Sequence, residues 1–531
     1  MQLTRDQILA YDLATLHFRG IDFEDDDSEF DDLLSPDLKK RYNYPEKRFN
    51  LFDSIDWDIL IITGPAGTGK TELLCAIEQE YTKQGWKVYP GSFTGRAAAV
   101  LRRRGLKNSR TIHYYLYGRP TIYQEFKKLW KLVKLKLTRN DNDYELWIID
   151  EASMLYESFL GNLLDHIKNP KKKIGYIGKK LQELYDDPEF TIDERKKIIF
   201  CGDKNQLPPI FGKSKPALDK RTFEEVGYNV TTAELTTLIR HKGNEIIQDI
   251  ANELERNPNK KGLEHLRKMN YDKTQFEIIP KDVDKIEQKF VEYFQKNPLE
   301  TKYINYTNQF VHEFNMLIRP KLMDKHPRDL LFKNDLIHVT KNNYFYDLWN
   351  GDHLIVKDVG NVIEGPEIDV SCYIENEKGN KVQHKENDKQ VEKPMTLDFT
   401  NVKVQHTETK KEQNLYIINE TLNNTDGDNW IYLQRENLYQ EISEYLTKFF
   451  FIRNPNCLDM KYDEWKKERE TDRYNNALFI NYSYGITGHK AQGGEWDYVI
   501  VDLNSSAKPP PGWMYTAITR ASQKVMIVSN E

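Results

Sequence analysis

The sequence predicts an α/β chain whose parallel sheets carry ligand-binding loops along one edge, and three stretches predict it. Gly64-Pro65-Ala66-Gly67-Thr68-Gly69-Lys70-Thr71 stands between the apolar run Ile59-Leu60-Ile61-Ile62 and Glu72-Leu73-Leu74-Cys75-Ala76-Ile77, which has helical spacing. Strand, glycine-rich loop and helix in that order make a phosphate-binding loop. Leu146-Trp147-Ile148-Ile149 ends in Asp150-Glu151, and Ile198-Ile199-Phe200-Cys201 ends in Gly202-Asp203-Lys204-Asn205-Gln206. Short continuous apolar runs are strands buried on both faces. Polar loops after three of them fall on the sheet edge where ligands bind.

Each part of this layer has a chemical reading. The glycines let successive N–H groups turn toward phosphate oxygens, and the new helix adds the positive end of its dipole. The loop from Gly64 through Pro65, Ala66, Gly67, Thr68 and Gly69 to Lys70 and Thr71 is therefore expected to hold ATP. Lys70 would bridge the β- and γ-phosphates and the Thr71 hydroxyl would take one position on Mg²⁺. Asp150 is expected on the Mg²⁺ side and Glu151 as the base that orients and deprotonates the attacking water. Gln206 can donate to a γ-phosphate and accept from a water, or serve only as a turn residue.

A chain of 531 residues exceeds one core and predicts two to four domains, and 39% hydrophobic with 12% aromatic residues suffices to build them. No run approaches the roughly eighteen apolar residues of a membrane span, and the N-terminal stretch lacks a basic start followed by an apolar core. A soluble, cytoplasmic protein with no membrane partner is the expectation. Cys75, Cys201, Cys372 and Cys457 are widely separated and form no C-x-x-C pair, against a zinc site or disulfide framework. The net charge of −6 gives no global sign of a nucleic-acid partner, so any such site must be local.

Taken in order, the chain opens with Leu3-Thr4-Arg5-Asp6-Gln7 and the apolar positions Ile8, Leu9, Tyr11, Leu13 and Leu16, which read as a helix. Thr4 and Gln7 fit a capping box; the functional alternative is that Gln7 bonds the adenine edge of ATP. The acidic run 22–32 reads as a solvated loop. Trp86-Lys87-Val88-Tyr89-Pro90 is a second strand, leading through Thr94-Gly95-Arg96-Ala97 into a helix. From Arg96 to Arg139 there are thirteen Lys or Arg and one acid, Glu125, a local reversal that suits a phosphate backbone. Tyr123, Phe126, Trp130, Val133 and Leu137 recur at three or four residues and would pack inward, leaving Lys127, Lys128, Lys131 and Lys134 on other faces. Tyr114, Tyr115 and Tyr117 suit either base stacking or the core.

The set Gly64 to Thr71, Thr94-Gly95-Arg96-Ala97-Ala98, Thr111-Ile112-His113, Asp150-Glu151-Ala152-Ser153 and Gly202-Asp203-Lys204-Asn205-Gln206-Leu207-Pro208-Pro209 resembles superfamily 1B DNA helicases of the RecD-like, Dda-like group. Further motifs follow in the family's order. Leu235-Thr236-Thr237-Leu238-Ile239-Arg240-His241 is similar to the segment with the first arginine finger, with His241 where glutamine is common. Tyr303-Ile304-Asn305-Tyr306-Thr307-Asn308 resembles the opening of the second lobe, and Trp349-Asn350-Gly351-Asp352 the turn before a small β insertion. Gly485 to Trp496 and Tyr515-Thr516-Ala517-Ile518-Thr519-Arg520 resemble the last two motifs. The resemblance runs from about residue 3 to 528 and is poor over the acidic run, 169–197 and much of 375–473.

The resemblance implies two RecA-like P-loop domains with parallel sheets, plus a small inserted 1B (pin) element and an SH3-like β (2B) domain. Residues 1–112 and 146–220 would form domain 1A, 113–145 the pin insertion, 221–349 and 478–531 domain 2A, and 350–477 domain 2B. Within 2B, residues 354–359, 368–374, 396–404, 415–418 and 430–433 are expected strands, and the polar tract 375–393 a long hairpin tip or disordered loop. Arg240 and Arg520 would be arginine fingers, with Gln492 and Gly493 on the nucleotide. Thr94, Arg96, Thr111 and His113 in one lobe, and Thr487, His489 and Lys490 in the other, would contact single-stranded DNA. The implied activity is ATP-dependent helicase or translocase action, 5′ to 3′, on single strands and single–double-strand junctions, beside replication or repair proteins. The alternatives are a translocase that displaces proteins without unwinding, a small-molecule P-loop kinase, and a silent nucleic-acid binder.

Overall fold

The computed structural model describes residues 3–15, 36, 57–117, 143–168, 195–209, 216–237, 245–256, 266, 268, 272, 274–323, 330–371, 373–375, 381–383, 385–386, 389–422, 431–458, 462–504 and 509–529. The acidic run, most of the basic insertion with its inward-facing aromatics, Cys372, and Arg240 with His241 lie outside the described residues.

The first sheet is built from β1 (Ile59–Thr63), β2 (Lys87–Ser92), β3 (Arg110–Thr111), β4 (Glu145–Asp150), β5 (Lys196–Gly202) and β6 (Val230–Glu234). All are parallel, in the order β3-β2-β4-β5-β1-β6. The central strands β1, β4 and β5 are buried along their whole length because both faces are covered. Leu60 and Ile62 enter one core with α1 (Arg5–Thr15) and α2 (Lys70–Lys83), while Ile59 and Ile61 enter the other with α4 (Ile112–Tyr117) and α5 (Glu157–Lys168). Between these, α3 (Gly95–Arg103) follows β2.

β6 corrects the boundary at 220/221. It pairs with β1 from Ile59↔Val230 to Thr63↔Glu234, so the first lobe extends at least to Glu234. Val-Thr-Thr-Ala-Glu is an edge strand with half-exposed residues, and its mixed pattern gives a weak signal for a buried parallel strand.

The second lobe repeats the plan. β7 (Phe276–Pro280), β8 (Thr301–Asn305), β16 (Gly485–Thr487), β17 (Trp496–Asp502) and β18 (Ala521–Ser529) form a parallel sheet ordered β16-β8-β17-β18-β7. It packs against α6 (Glu245–Arg256), α7 (Val283–Lys296), α8 (Asn308–Met323) and α10 (Trp513–Ile518).

Between β8 and β16 the chain makes an antiparallel sheet, β14-β13-β10-β9-β15, from β9 (Leu336–Val339), β10 (His353–Glu364), β13 (Asp398–His406), β14 (Glu412–Ile418) and β15 (Ile480–Tyr482). β9 and β15 lie outside the 350–477 boundaries, so this sheet grows directly from the second lobe. Flanking the polar tract, β11 (Ile368–Ser371) pairs with β12 (Glu392–Met395), and two shorter antiparallel pairs lie between them. That is the hairpin form of the two alternatives.

A strand at 430–433 is contradicted: Ile431–Arg453 is a helix, α9. Leu438, Ile442, Tyr445, Leu446 and Phe449 recur at three- and four-residue spacing and pack on β11, β13 and β14. That longer period overrides the short apolar run at its start.

Candidate functional site

The phosphate loop leaves β1 and turns through Gly67 (φ 86°) and Gly69 (φ 73°) into α2, which begins at Lys70. Both glycines occupy the left-handed region that a Cβ disfavours. Gly64 is fixed by space instead: a Cβ there would lie 2.6 Å from the Leu235 carbonyl oxygen. Lys70 Nζ donates to the carbonyls of Gly64 (2.7 Å) and Pro65 (2.8 Å), and the Thr68 hydroxyl donates to Pro65 (2.9 Å). Pro65, Ala66 and Thr71 are half-buried on the loop. Gln7 is buried; its Oε1 accepts from Thr4 N–H (2.9 Å), half of a capping box, and its Nε2 donates to the carbonyls of Thr68 (3.2 Å) and Gly69 (2.9 Å). The N-terminal helix is thereby stitched to the phosphate loop.

Asp150 ends β4, and its Oδ1 accepts from the Glu151 N–H at 2.9 Å. Glu151 sits at φ 54°, a left-handed conformation for a side-chain-bearing residue, and such strain concentrates at functional sites. Burial raises both carboxyl pKa values against the opposing Lys70 charge; for Glu151 the negative charge of Asp150 adds to it and the result is about 7. Gln206 Nε2 reaches Asp203 Oδ2 at 3.5 Å, whereas its Oε1 is buried without a partner. An unpartnered buried acceptor beside these carboxylates invites a donor from outside the chain.

The second lobe closes on this loop. Thr516 Oγ1 accepts from the Leu207 N–H (3.0 Å), and the Tyr515 hydroxyl donates to Asp203 Oδ2 (3.3 Å) while accepting from Gln248 Nε2 (2.7 Å). A Cβ on Gly512 would stand 2.7 Å from the Gln206 carbonyl oxygen. Arg520 follows α10, buried, donating from Nε to Thr516 (2.9 Å) and from Nη1 to Gly494 (3.3 Å). Burial lowers its pKa, and the nearby charges of Glu151 and Asp203 oppose that effect. Both carboxamide atoms of Gln492 are buried without partners, beside Gly493 at φ 74°. Lys70, Asp150, Glu151, Gln206 and Arg520 thus converge from two lobes; Arg240 lies outside the described residues.

The expected strand contacts are divided. Thr94 Oγ1 caps α3 by accepting from the Ala97 N–H (3.1 Å), and Thr111 Oγ1 accepts from the Tyr114 N–H (3.1 Å) at the start of α4. The His113 ring lies 4.5 Å from Phe159, and burial holds its pKa down. Arg96 is buried and spans the lobes: Nη1 donates to the Gly351 carbonyl (2.8 Å) and lies 3.1 Å from His353 Nε2. His353 Nδ1 meets Ser483 Oγ at 2.5 Å, and Lys302 Nζ donates to the Ser483 carbonyl. Arg96, Lys302, His353 and Trp496 line a cavity of about 280 Å³ there.

On the second lobe Thr487 starts the one-turn helix Gly488–Ala491, and burial keeps His489 below its ordinary pKa. Lys490 Nζ lies 3.2 Å from His338 Nε2 in a recess shared with Asn308, His312 and Thr487. His338, His353 and Ser483 had no sequence signal: each is a single polar residue on or beside an apolar strand, placed by pairings that only the fold makes.

Two family models match this chain, AAA domain over residues 54–184 and UvrD-like helicase C-terminal domain over 482–528. An uncharacterised protein of Acanthamoeba polyphaga mimivirus is 23% identical over 506 residues, 88% of this chain and 94% of that one. An uncharacterised protein of Methanocaldococcus jannaschii is 31% identical over 194 residues, 35% of this chain but only 14% of its own length. Among solved structures, the Pif1 helicase of Candida albicans is 17% identical with a TM-score of 0.45, covering 93% of this chain and 94% of that chain. Pif1 of Bacteroides sp in complex with ADP-AlF4 is 18% identical at a TM-score of 0.38, covering 93% and 92%. The chain thus carries an AAA-type segment in its first lobe and a UvrD-like helicase C-terminal segment in its second.

Proposed function

We propose that this chain hydrolyses ATP between its two lobes and uses the cycle to travel 5′ to 3′ along single-stranded DNA, separating duplex ahead of it. The observation that carries the reading is the convergence of Lys70, Asp150 and Glu151 with Arg520 across the seam where Leu207 bonds Thr516. Hydrolysis of a γ-phosphate spreads negative charge over its oxygens, and an arginine placed from a second lobe is worth about 10³ to 10⁵ in rate. Arg240 is the proposed first finger and Arg520 the second.

The residues fit a nucleotide with its metal. Lys70 has only carbonyls to release, and Gln206 and Gln492 keep unpartnered amide atoms. Among the described residues no group of three or more His, Cys, Asp and Glu could hold a metal unaided. Thr71 and Asp150 would share Mg²⁺ with phosphate oxygens, and the ion would neutralise charge on the phosphates. Glu151 takes the proton of the attacking water, Gln206 reports the γ-phosphate, and Gln492 and Gly493 face the nucleotide from the second lobe. Gln7 holds the loop from below and is the proposed adenine contact. Thr94, Arg96, Thr111 and His113 form one strand grip and Thr487, His489 and Lys490 the other, on domains 1A, 2A and 2B drawn as above with 1A carried to Glu234. A change in lobe spacing during the cycle then moves one grip relative to the other.

The test is steady-state ATP hydrolysis with and without single-stranded DNA, run with strand separation on duplexes bearing a 5′ or a 3′ tail. Strong stimulation and unwinding from the 5′ tail alone are expected, both abolished by Lys70→Ala. Hydrolysis indifferent to nucleic acid would sink the reading, and stimulation without unwinding would leave a translocase.

A further inference from the structure

The turn joining β9 to β10 carries chemistry that the nucleotide site does not use. Asn343 and Leu348 close it with paired backbone bonds, Asn343 N–H to Leu348 O at 2.7 Å and Leu348 N–H to Asn343 O at 3.0 Å. Inside the turn, Asn343 Oδ1 accepts from the N–H groups of Phe345 (3.2 Å) and Tyr346 (3.1 Å), while its Nδ2 donates to the Asn476 carbonyl (2.8 Å). Gln413 Nε2 bonds the Tyr346 carbonyl (3.2 Å) from β14. The tip is therefore a fixed element, and it holds Phe345 47% exposed with its ring edge-on to Tyr346 at 4.8 Å.

Among the described residues, Phe345 and Tyr144 are the aromatic members of the exposed large apolar side chains. Tyr144 lies against Trp86, at the far end of β2 from the polar loops. Phe345 stands on a turn whose neighbours Asp347 and Trp349 approach the first lobe. Trp349, at the foot of the same turn, packs so closely on the first lobe that a Cβ on Gly95 would lie 2.7 Å from its Cε3. The Arg102 guanidinium sits 5.1 Å over the Trp349 ring, and Tyr344 meets that ring edge-on at 5.3 Å. The turn is thus docked on Thr94-Gly95-Arg96, with the basic end of α3 beneath it.

We infer that this turn is a stacking platform for a base of single-stranded nucleic acid, with Phe345 as the ring the base lies on. The inference rests on the strand-travelling reading above and names a contact that reading lacks. A single exposed ring on a rigid tip, beside arginines and above the proposed strand grip, has the composition of single-strand sites, in which aromatic faces stack bases and cations track phosphates. A protein partner would call for a broader apolar patch; Phe345 stands singly, with charged Asp347 two residues away and 72% exposed in its side chain.

The experiment uses the full chain, a fluorescently labelled single-stranded oligonucleotide read by anisotropy, and the same strand with 2-aminopurine at successive positions. Phe345→Ala is expected to weaken binding about tenfold and to abolish a fluorescence change confined to one or two positions. Phe345→Trp is expected to restore affinity, with its own emission quenched by the strand. Thermal unfolding and nucleic-acid-free ATP hydrolysis should match wild type in both variants, since the ring is exposed. Equal affinity and an unchanged 2-aminopurine profile in Phe345→Ala would overturn the platform while leaving strand binding intact. A wild-type protein that binds no single strand would overturn both.

Discussion

Glu151 concentrates the chemistry of the first lobe in one side chain. Its left-handed backbone turns it out of the strand beside Asp150, and burial with Asp150's charge lifts its pKa to about 7 from the ordinary 4.5. Between those values the folded protein binds a proton that the unfolded chain has released, so the stability of the unliganded protein falls as pH rises through that window. Glu151→Gln removes the titration, and its Tm should drop less between pH 5 and pH 8 than that of wild type. An identical pH slope would show that Glu151 ionises normally. Activity has the opposite sign: as the proposed base, Glu151 would have to be ionised to accept a proton, so ATP hydrolysis should rise with pH through about 7. The Gln variant should lose roughly 10² to 10⁴ in kcat at every pH. At this scale the sequence set Lys70, Asp150 and Glu151 on loops of one sheet edge, and the structure brings their charges together. The sequence was least legible where one residue type serves two purposes. Thr94 and Thr111 have the hydroxyls of strand contacts and use them as helix caps.

At the scale of elements, Arg96, proposed for a strand grip, is also a joint between the lobes. Arg96 projects from α3 into the gap between lobes and bonds the Gly351 carbonyl and His353, with Glu408 of the antiparallel sheet 3.5 Å from Nη2. Hydrogen bonds made by a charged donor contribute about 1.5 to 3 kcal/mol each, and leaving their buried partners unmet costs a comparable amount. Arg96→Ala is expected to lower stability by about 2 to 4 kcal/mol, measured as a lower first transition in thermal unfolding. Arg96→Lys should recover only part of it, because a single ammonium does not reproduce the guanidinium fork. Unfolding indistinguishable from wild type would show that α3 and the Gly351 turn are not held through this side chain. None of these pairings is local, which is why sequence pattern missed them. The same limit explains β6, an edge strand without a strong apolar run, and α9, whose helical period starts beyond the short stretch taken for a strand.

For the whole molecule, the proposed function depends on two lobes that meet at the Gln206 loop and again where α3 docks on the Gly351 turn. The order of motifs foretold two parallel sheets, since each strand followed by a polar loop is a local signal. How the lobes touch was not legible, because the contacts join residues hundreds of positions apart. Gly512 is a tight point of the contact at the Gln206 loop: at φ 82° it lets α10 approach until a side-chain carbon would stand 2.7 Å from the Gln206 carbonyl oxygen and 2.9 Å from that of Asn205. Gly512→Ala therefore has to push the second lobe away from the loop that carries Gln206, and Arg520 moves with it. Lys70 and the phosphate loop belong wholly to the first lobe, so a fluorescent ATP analogue should bind the variant within about threefold of wild type. Its kcat for hydrolysis should fall by about ten- to a hundredfold, a fraction of what full loss of an arginine finger costs. If binding and turnover fell together, the seam would be a determinant of folding; if neither changed, the lobes would close on nucleotide without using this contact.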